Sequence, residues 1–421
     1  MMNKTMQLTK EQTHPHIEIM LFLFFHCLLL LAFAVTLSSP WQLLTGLFNI
    51  MTSSSLLITD YAYIGGIGSA FFNSFLVTSL YLLLIFRRKI NLDFSFIATI
   101  FTIAGFSFFG KNLFNTLPLI LGNYLYTKLV KKSCPQTINS AIFSSAVAPV
   151  VSFIAFGLGL PSVLGVFIGS LIGIFLGLIF PLISIHVRGI HQGLNLFNGG
   201  FAAGILAMAI YGFLSLFYVF PEKNTVTYLE FQHIFKIYWV FFLLSLLVLM
   251  VIFLFYRSID SKSAYHQPSF INCYQVAIIA LFYSGYLITI DAPFNGFVFG
   301  SLLTVIGFCF SGITLKDLFP PFLGVLVIQI LSPENLINSQ EIVSLVLFSI
   351  GLSPLTKQKG QLLGFFSGIL LALFAPLAFQ LHGGLNLYNS GFACGFVVTL
   401  CLGIQQKHHS STIQKSTKKS I

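Results

Sequence analysis

Long runs of apolar residues, with charge confined to the stretches between them, constrain this chain more than any other feature. Residues 19–37, 163–185 and 234–256 each carry at most one Lys or Arg. A bilayer core of ~30 Å is crossed by a helix of about 20 residues, so each run is long enough to span it. Membrane β-barrel strands would instead appear as short alternating segments. Charged residues make up 8% of the 421 positions and mean hydropathy is +0.92. A soluble domain carries about 25% charged residues, so this chain has too few to cover a water-facing surface. The sequence predicts an all-α polytopic membrane protein.

Apolar runs fall at 19–37, 61–86, 94–109, 112–130, 139–157, 162–185, 195–218, 234–256, 274–290, 294–311, 313–331, 342–356, 361–380 and 386–404, about fourteen transmembrane helices. The run at 19–37 exceeds the 7–15 apolar residues of a signal-peptide core and is expected to be retained. Residues 41–58, from Trp41 to Ile58, are shorter and polar in part, and read as a span, a re-entrant segment or an interfacial helix. Lysine and arginine gather on the cytoplasmic side of membrane proteins. If 41–58 does not cross and the N-terminus is inside, eighteen Lys and Arg lie inside and only Lys111, Lys223 and Lys236 outside. Both termini are therefore expected in the cytoplasm, in a cell membrane. The net charge of +10 follows from this bias, and nucleic acid is not expected as a partner. Six cysteines without a C-x-x-C pair suggest neither a disulfide framework nor a zinc site.

The chain also repeats itself. "HQGLNLFNGGFAAG" at 191–204 and "HGGLNLYNSGFACG" at 382–395 agree at ten of fourteen positions, 191 residues apart. "GFSFFGKNLFNTLPLILG" at 105–122 matches "GFCFSGITLKDLFPPFLG" at 307–324 at eight of eighteen, at an offset of 202. The organisation expected is an N-terminal helix with the short segment (1–58), repeat 1 (59–218), a connecting helix (219–273), repeat 2 (274–404) and a basic tail (405–421). Six spans per repeat with one between them make equivalent helices seven crossings apart, hence oppositely directed. Such inverted repeats are frequent in transporters and channels, with solute sites at the repeat interface.

Three kinds of residue stand out within the repeats. Gly169, Gly173 and Gly177 recur as Gly360, Gly364 and Gly368, and Gly200 and Gly204 as Gly391 and Gly395. Small residues at this spacing let helix backbones approach closely. His191, Asn195 and Asn198, with their copies His382, Asn386 and Asn389, share one face if the segment is helical. Gly193 and the Gly383-Gly384 pair weaken that helix, and a break would leave backbone groups to line a polar cavity. The asparagines either line a solute path or bond across helices. The histidines act as a gate or pH-responsive element, or simply sit at the interface. All eleven carboxylates fall at span ends or in loops, which disfavours an ion-coupled pump. Asp60 and Asp291 remain as coupling candidates. The forty-nine phenylalanines can supply apolar constrictions.

The phrases "GLNLFNGGFAAG" (193–204) and "GLNLYNSGFACG" (384–395) resemble those of an uncharacterised bacterial family of multi-pass membrane proteins, known as a domain of unknown function. Phe197-Asn198-Gly199 and Tyr388-Asn389-Ser390 are distantly similar to a signature of urea transporters, which are built from two inverted repeats around a narrow pore. That family's Asn-Pro-x-[ST]-Gly phrase has only Pro293-Phe294-Asn295-Gly296 as its nearest counterpart, and six spans per repeat depart from its arrangement. No nucleophile-elbow, zincin or phosphate-loop motif is present, so an enzyme, a cofactor and a catalytic metal are not expected. The expected function is transport of a small polar, even neutral, solute between inverted repeats. The alternative is a non-transporting scaffold or sensor. Expected partners are the bilayer, the solute and, left open, further copies of the chain.

Overall fold

The computed structural model describes residues 17–87, 94–131, 140, 142–222, 226–259, 266–332 and 337–418. Lys4, Lys10, Arg88, Lys89, Cys134, Lys223 and Lys262 lie outside the described residues, as do Glu11, Asp93, Asp260 and Glu334. The helices are α1 (Ile17–Leu37), α2 (Pro40–Met51), α3 (Tyr61–Gly65), α4 (Ile67–Arg87), α5 (Phe94–Phe106), α6 (Leu113–Leu129), α7 (Ala148–Phe156), α8 (Ser162–Ile190) and α9 (Asn198–Leu214). They continue as α10 (Gln232–Ile259), α11 (His266–Thr289), α12 (Gly296–Cys309), α13 (Leu315–Leu331), α14 (Gln340–Phe348), α15 (Ser353–Lys359), α16 (Gln361–His382) and α17 (Asn389–Lys418). Among the described residues every regular element is helical.

Each apolar run of the sequence corresponds to a helix or to a broken pair of helices. Gly66, at φ +84°, divides the run at 61–86 into α3 and α4. Two 3-10 turns, Ser145–Val147 and Ser349–Leu352, lead into α7 and α15. Five helical segments are long and apolar enough to cross a membrane: Ile19–Leu37, Ile67–Arg87, Ser162–Ile190, Gln232–Ile252 and Gln361–His382. Their outward faces are hydrocarbon, with Val163, Leu362 and Leu21 between 61% and 86% exposed. A patch of that kind is stable against lipid and unstable against water. Helix α2 starts with a reciprocal cap between Ser39 and Gln42. At 1.5 Å per residue it extends only ~18 Å, and the chain after it turns back into the protein. There Leu57 donates its amide to Gly384 O at 3.0 Å, and Asn112 Nδ2 donates to Ile50 O at 3.2 Å.

Glycine decides how the helices pack. A Cβ on Gly122 would stand 2.0 Å from Ile174 O, and one on Gly177 2.2 Å from Leu119 O, so α6 and α8 touch backbone to backbone. The same crossing recurs between α13 and α16: Gly324 would meet Phe365 O at 2.1 Å and Gly368 would meet Pro321 O at 2.2 Å. Gly169 and Gly364 also lie against the preceding short helices, at Val151 and Thr356. Gly360, at φ +98° with open space around it, acts instead as the left-handed junction between α15 and α16. Helices α5 and α12 meet at Gly105 and Gly300, each 2.2 Å from the other's carbonyl oxygen if a Cβ were added. Further along, Gly307 lies on Phe101 and Ala98, so these two helices run antiparallel.

Lys111, counted among the outer charges, has no exposed surface. The turn that carries it is bonded to the end of α2 and the start of α3, through Asn112 Nδ2 to Ile50 O and Tyr61 N to Phe108 O.

Candidate functional site

Both copies of the repeated phrase break the helix, as their glycines allow. Gln192 and Gly193 take φ +53° and +75°, and the matching Gly383 and Gly384 take +55° and +83°. These left-handed angles end α8 and α16, and α9 and α17 begin only at Asn198 and Asn389. The histidine and two asparagines of each copy therefore do not share a helix face. They are brought together by a seven-residue return of the chain.

Asn198 Nδ2 donates to Ser184 O and Oγ at 3.2 and 2.9 Å, which fixes its Oδ1 as an acceptor, and His191 Nε2–H donates to it at 2.8 Å. The second copy repeats the unit: Asn389 Nδ2 donates to Ala375 O at 3.1 Å and accepts from His382 Nε2–H at 3.0 Å. Burial, opposed by the Asn198 hydrogen bond, holds the His191 ring below the usual histidine range, and Arg188 adds to the lowering. Both imidazoles orient an amide and are not themselves exposed.

Asn195 and Asn386 do something different. Asn195 Oδ1 accepts from Phe197 N at 2.9 Å while its Nδ2 donates to Gly391 O at 3.2 Å. Asn386 Oδ1 accepts from Tyr388 N at 3.0 Å while its Nδ2 donates to Gly200 O at 3.4 Å. Each turn is thus tied to the helix that follows the other turn. Gly200 and Gly391 approach each other closely, and Gly204 and Gly395 accept the Phe392 and Phe201 rings. In the same pattern, Leu196 N donates to Gly351 O and Leu387 N to Ala146 O, both at 3.0 Å.

Two cavities flank this junction. One, of about 580 Å³, is lined by Ser184, Arg188, His191, Asn195, Asn198 and Phe308, among others. The other, of about 490 Å³, is lined by Ser339, Glu341, Ala375, Tyr388, Asn389 and Ser390, among others. A third cavity of about 610 Å³, reaching Glu222 and Gln380, shares Leu57, Ile58, Pro376 and Phe379 with the second. Six aromatic rings stand between the first two: Phe106, Phe143, Phe197, Phe308, Phe348 and Tyr388. Phe197 lies 4.9 Å from Phe308 and 5.4 Å from Phe348, and Phe106 lies 4.2 Å from Tyr388, between ring centroids. Phe106 and Phe308 are 202 residues apart, Phe197 and Tyr388 191, the two offsets of the repeat. The sequence showed the abundance of phenylalanine and not this cluster.

The remaining candidates are dispersed. Asp60 caps α3 through Ala62 N at 2.9 Å and accepts from Gly296 N at 3.1 Å, joining α3 to the start of α12. Asp291 lies on the surface at φ +48°, in the turn after α11. Neither lines the two cavities beside the motif asparagines.

A protein whose described regular elements are all helical, with five helices long and apolar enough to cross a membrane and a doubled polar junction, is the class that this geometry defines. The chain belongs to the family described as a protein of unknown function (DUF1576), whose profile matches residues 39–216 and 262–407, one copy of the phrase in each stretch. No curated protein and no solved structure matches it.

Proposed function

We propose that this protein transports a small polar solute across the cell membrane along a path between two inverted repeats, with both termini cytoplasmic. The observation that carries the reading is the pair of cavities, one beside each motif asparagine, parted by rings from both repeats. Asn198 and Asn389 are the solute-contacting residues of the two half-paths. Asn195 and Asn386 hold the repeats together, and His191 and His382 aim the amides. The antiparallel contact of α5 with α12, repeat-equivalent helices, supports inversion: a two-fold axis relating antiparallel helices lies across them, hence in the membrane plane. The Lys and Arg bias supports the orientation. It assigns the Arg188 end of the first cavity to the cytoplasm and the Glu341 end of the second to the outside. The aromatic cluster acts as the closed constriction, since a passage lined by apolar rings sheds water.

Each of the four asparagine amides has a protein partner at both its oxygen and its nitrogen, which favours the scaffold reading, and flux measurements separate the two. Asn198→Ala and Asn389→Ala are each expected to cut solute flux into proteoliposomes at least tenfold at unchanged expression. Normal flux in both variants would remove these residues from the path. A survey of uncharged solutes, urea and glycerol included, together with small salts supplies the solute.

A further inference from the structure

Lys111 sits in the turn between α5 and α6 with no exposed surface, and its ammonium has no hydrogen-bond acceptor among the described residues. The ammonium lies over the Phe106 ring, 5.1 Å from Nζ to centroid. A cation over a single ring recovers only part of what removing an ammonium from water costs. The fold nevertheless holds this residue in place. Lys111 N donates to Phe106 O at 3.0 Å, and Asn73 Nδ2 donates to Lys111 O at 2.8 Å. The next residue, Asn112, caps α6 in reciprocal bonds with Asn115. The turn itself has no need of a cation, because Ile313 stands at the equivalent place in the second repeat.

The turn packs against the wall of the Asn389 cavity, although Lys111 itself does not line that cavity. A Cβ on Gly110 would stand 2.2 Å from the Leu387 side chain, and Phe109 packs edge-on to Phe297 at 5.0 Å. Leu387, Phe297 and Tyr388, the last against Phe106, all line the Asn389 cavity. The N-termini of α9 and α17 meet at Gly200 and Gly391 beside the same rings, adding the partial positive charge of two helix ends. Glu341 also lines this cavity.

We propose that Lys111 is the charge-recognition residue of a site for a small monovalent anion, entered from the cavity beside Asn389. The site stands on the geometry above; that the anion is also the transported solute rests on the transport reading.

The test uses the purified full-length protein and its Lys111→Met and Lys111→Arg variants, with chloride, nitrate and formate as probes. At constant ionic strength set with gluconate, at least one probe is expected to raise the melting temperature of the wild type. Lys111→Met is expected to lose that response, and Lys111→Arg to keep part of it. In proteoliposomes, potassium-salt flux in the presence of valinomycin is expected to fall at least tenfold in Lys111→Met. A wild type indifferent to all three probes overturns the site, whatever the variants do. So does a Lys111→Met protein that responds as the wild type does. Anion binding without anion flux would keep the site and sink the anion as the transported solute. Urea or glycerol flux without any anion effect would sink the site and keep transport.

Discussion

Single residues carry unusual weight here, because charged groups are few and Asp60 and Lys111 are buried. Asp60 joins two parts of the chain through the Ala62 and Gly296 amides. Burial, opposed by those amide hydrogen bonds, raises its carboxyl to about 6. The folded protein therefore holds this proton more tightly than the unfolded chain does. The stability it contributes is present below the ordinary carboxylate range of about 4 and is lost as pH rises through about 6. Melting temperature is expected to fall across that window in the wild type and to fall less in Asp60→Asn. Identical profiles for the two proteins would contradict the assignment. The sequence singled out Asp60 but not its role, since the Gly296 amide comes from a distant element. The burial of Lys111 was not legible for a related reason. A lysine beside an asparagine between apolar runs looks like a loop charge, and the groups packed on its turn, Asn73 and Leu387 among them, come from distant parts of the chain.

Helices in this protein are positioned by the absence of side chains at chosen crossings. The test is comparative. Gly177→Ala and Gly368→Ala each place a methyl against a carbonyl oxygen on the neighbouring helix and are expected to lower the melting temperature by several degrees. Gly189→Ala and Gly212→Ala, where nothing lies within 4 Å, are expected to leave it unchanged or raise it, as alanine favours helix. Equal effects at all four sites would show that helix propensity, not close approach, governs these glycines. The ladders were legible in the sequence because close packing leaves a spacing of four. Gly360 shows the limit of that reading, since the same ladder position serves a left-handed junction. The breaks after His191 and His382 were also foreshadowed, by Gly193 and by Gly383 with Gly384. The seven-residue return was not, because its shape depends on hydrogen bonds to the other copy.

For the molecule as a whole, inversion and closure are the features to test. Gln192→Cys and Gln380→Cys, at exposed positions of equivalent regions, are expected to react with an impermeant thiol reagent from opposite sides of intact vesicles. Labelling of both from one side would remove the inverted arrangement. Opening the constriction with Phe197→Ala and Tyr388→Ala together is expected to raise passive leak of small solutes several-fold over the wild type. An unchanged leak would mean that the rings only pack. The odd number of spans counted between repeats made opposite orientation an expectation before any coordinates, and the labelling experiment decides it. The aromatic cluster was not readable, because forty-nine phenylalanines carry no positional signal.

The exchange of hydrogen bonds at the junction also bears on how the protein is made. Asn195 must wait for Gly391, and Leu196 for Gly351, so the first copy of the phrase leaves the ribosome without its binding partners. Until roughly 190 further residues are synthesised, its amides must be held by water or by an insertion factor. Translation that stops between the copies would leave a polar, glycine-rich turn unfilled inside the bilayer, a marker for membrane quality control. Co-expressed as two separate chains, the halves should find each other through that same unmet demand.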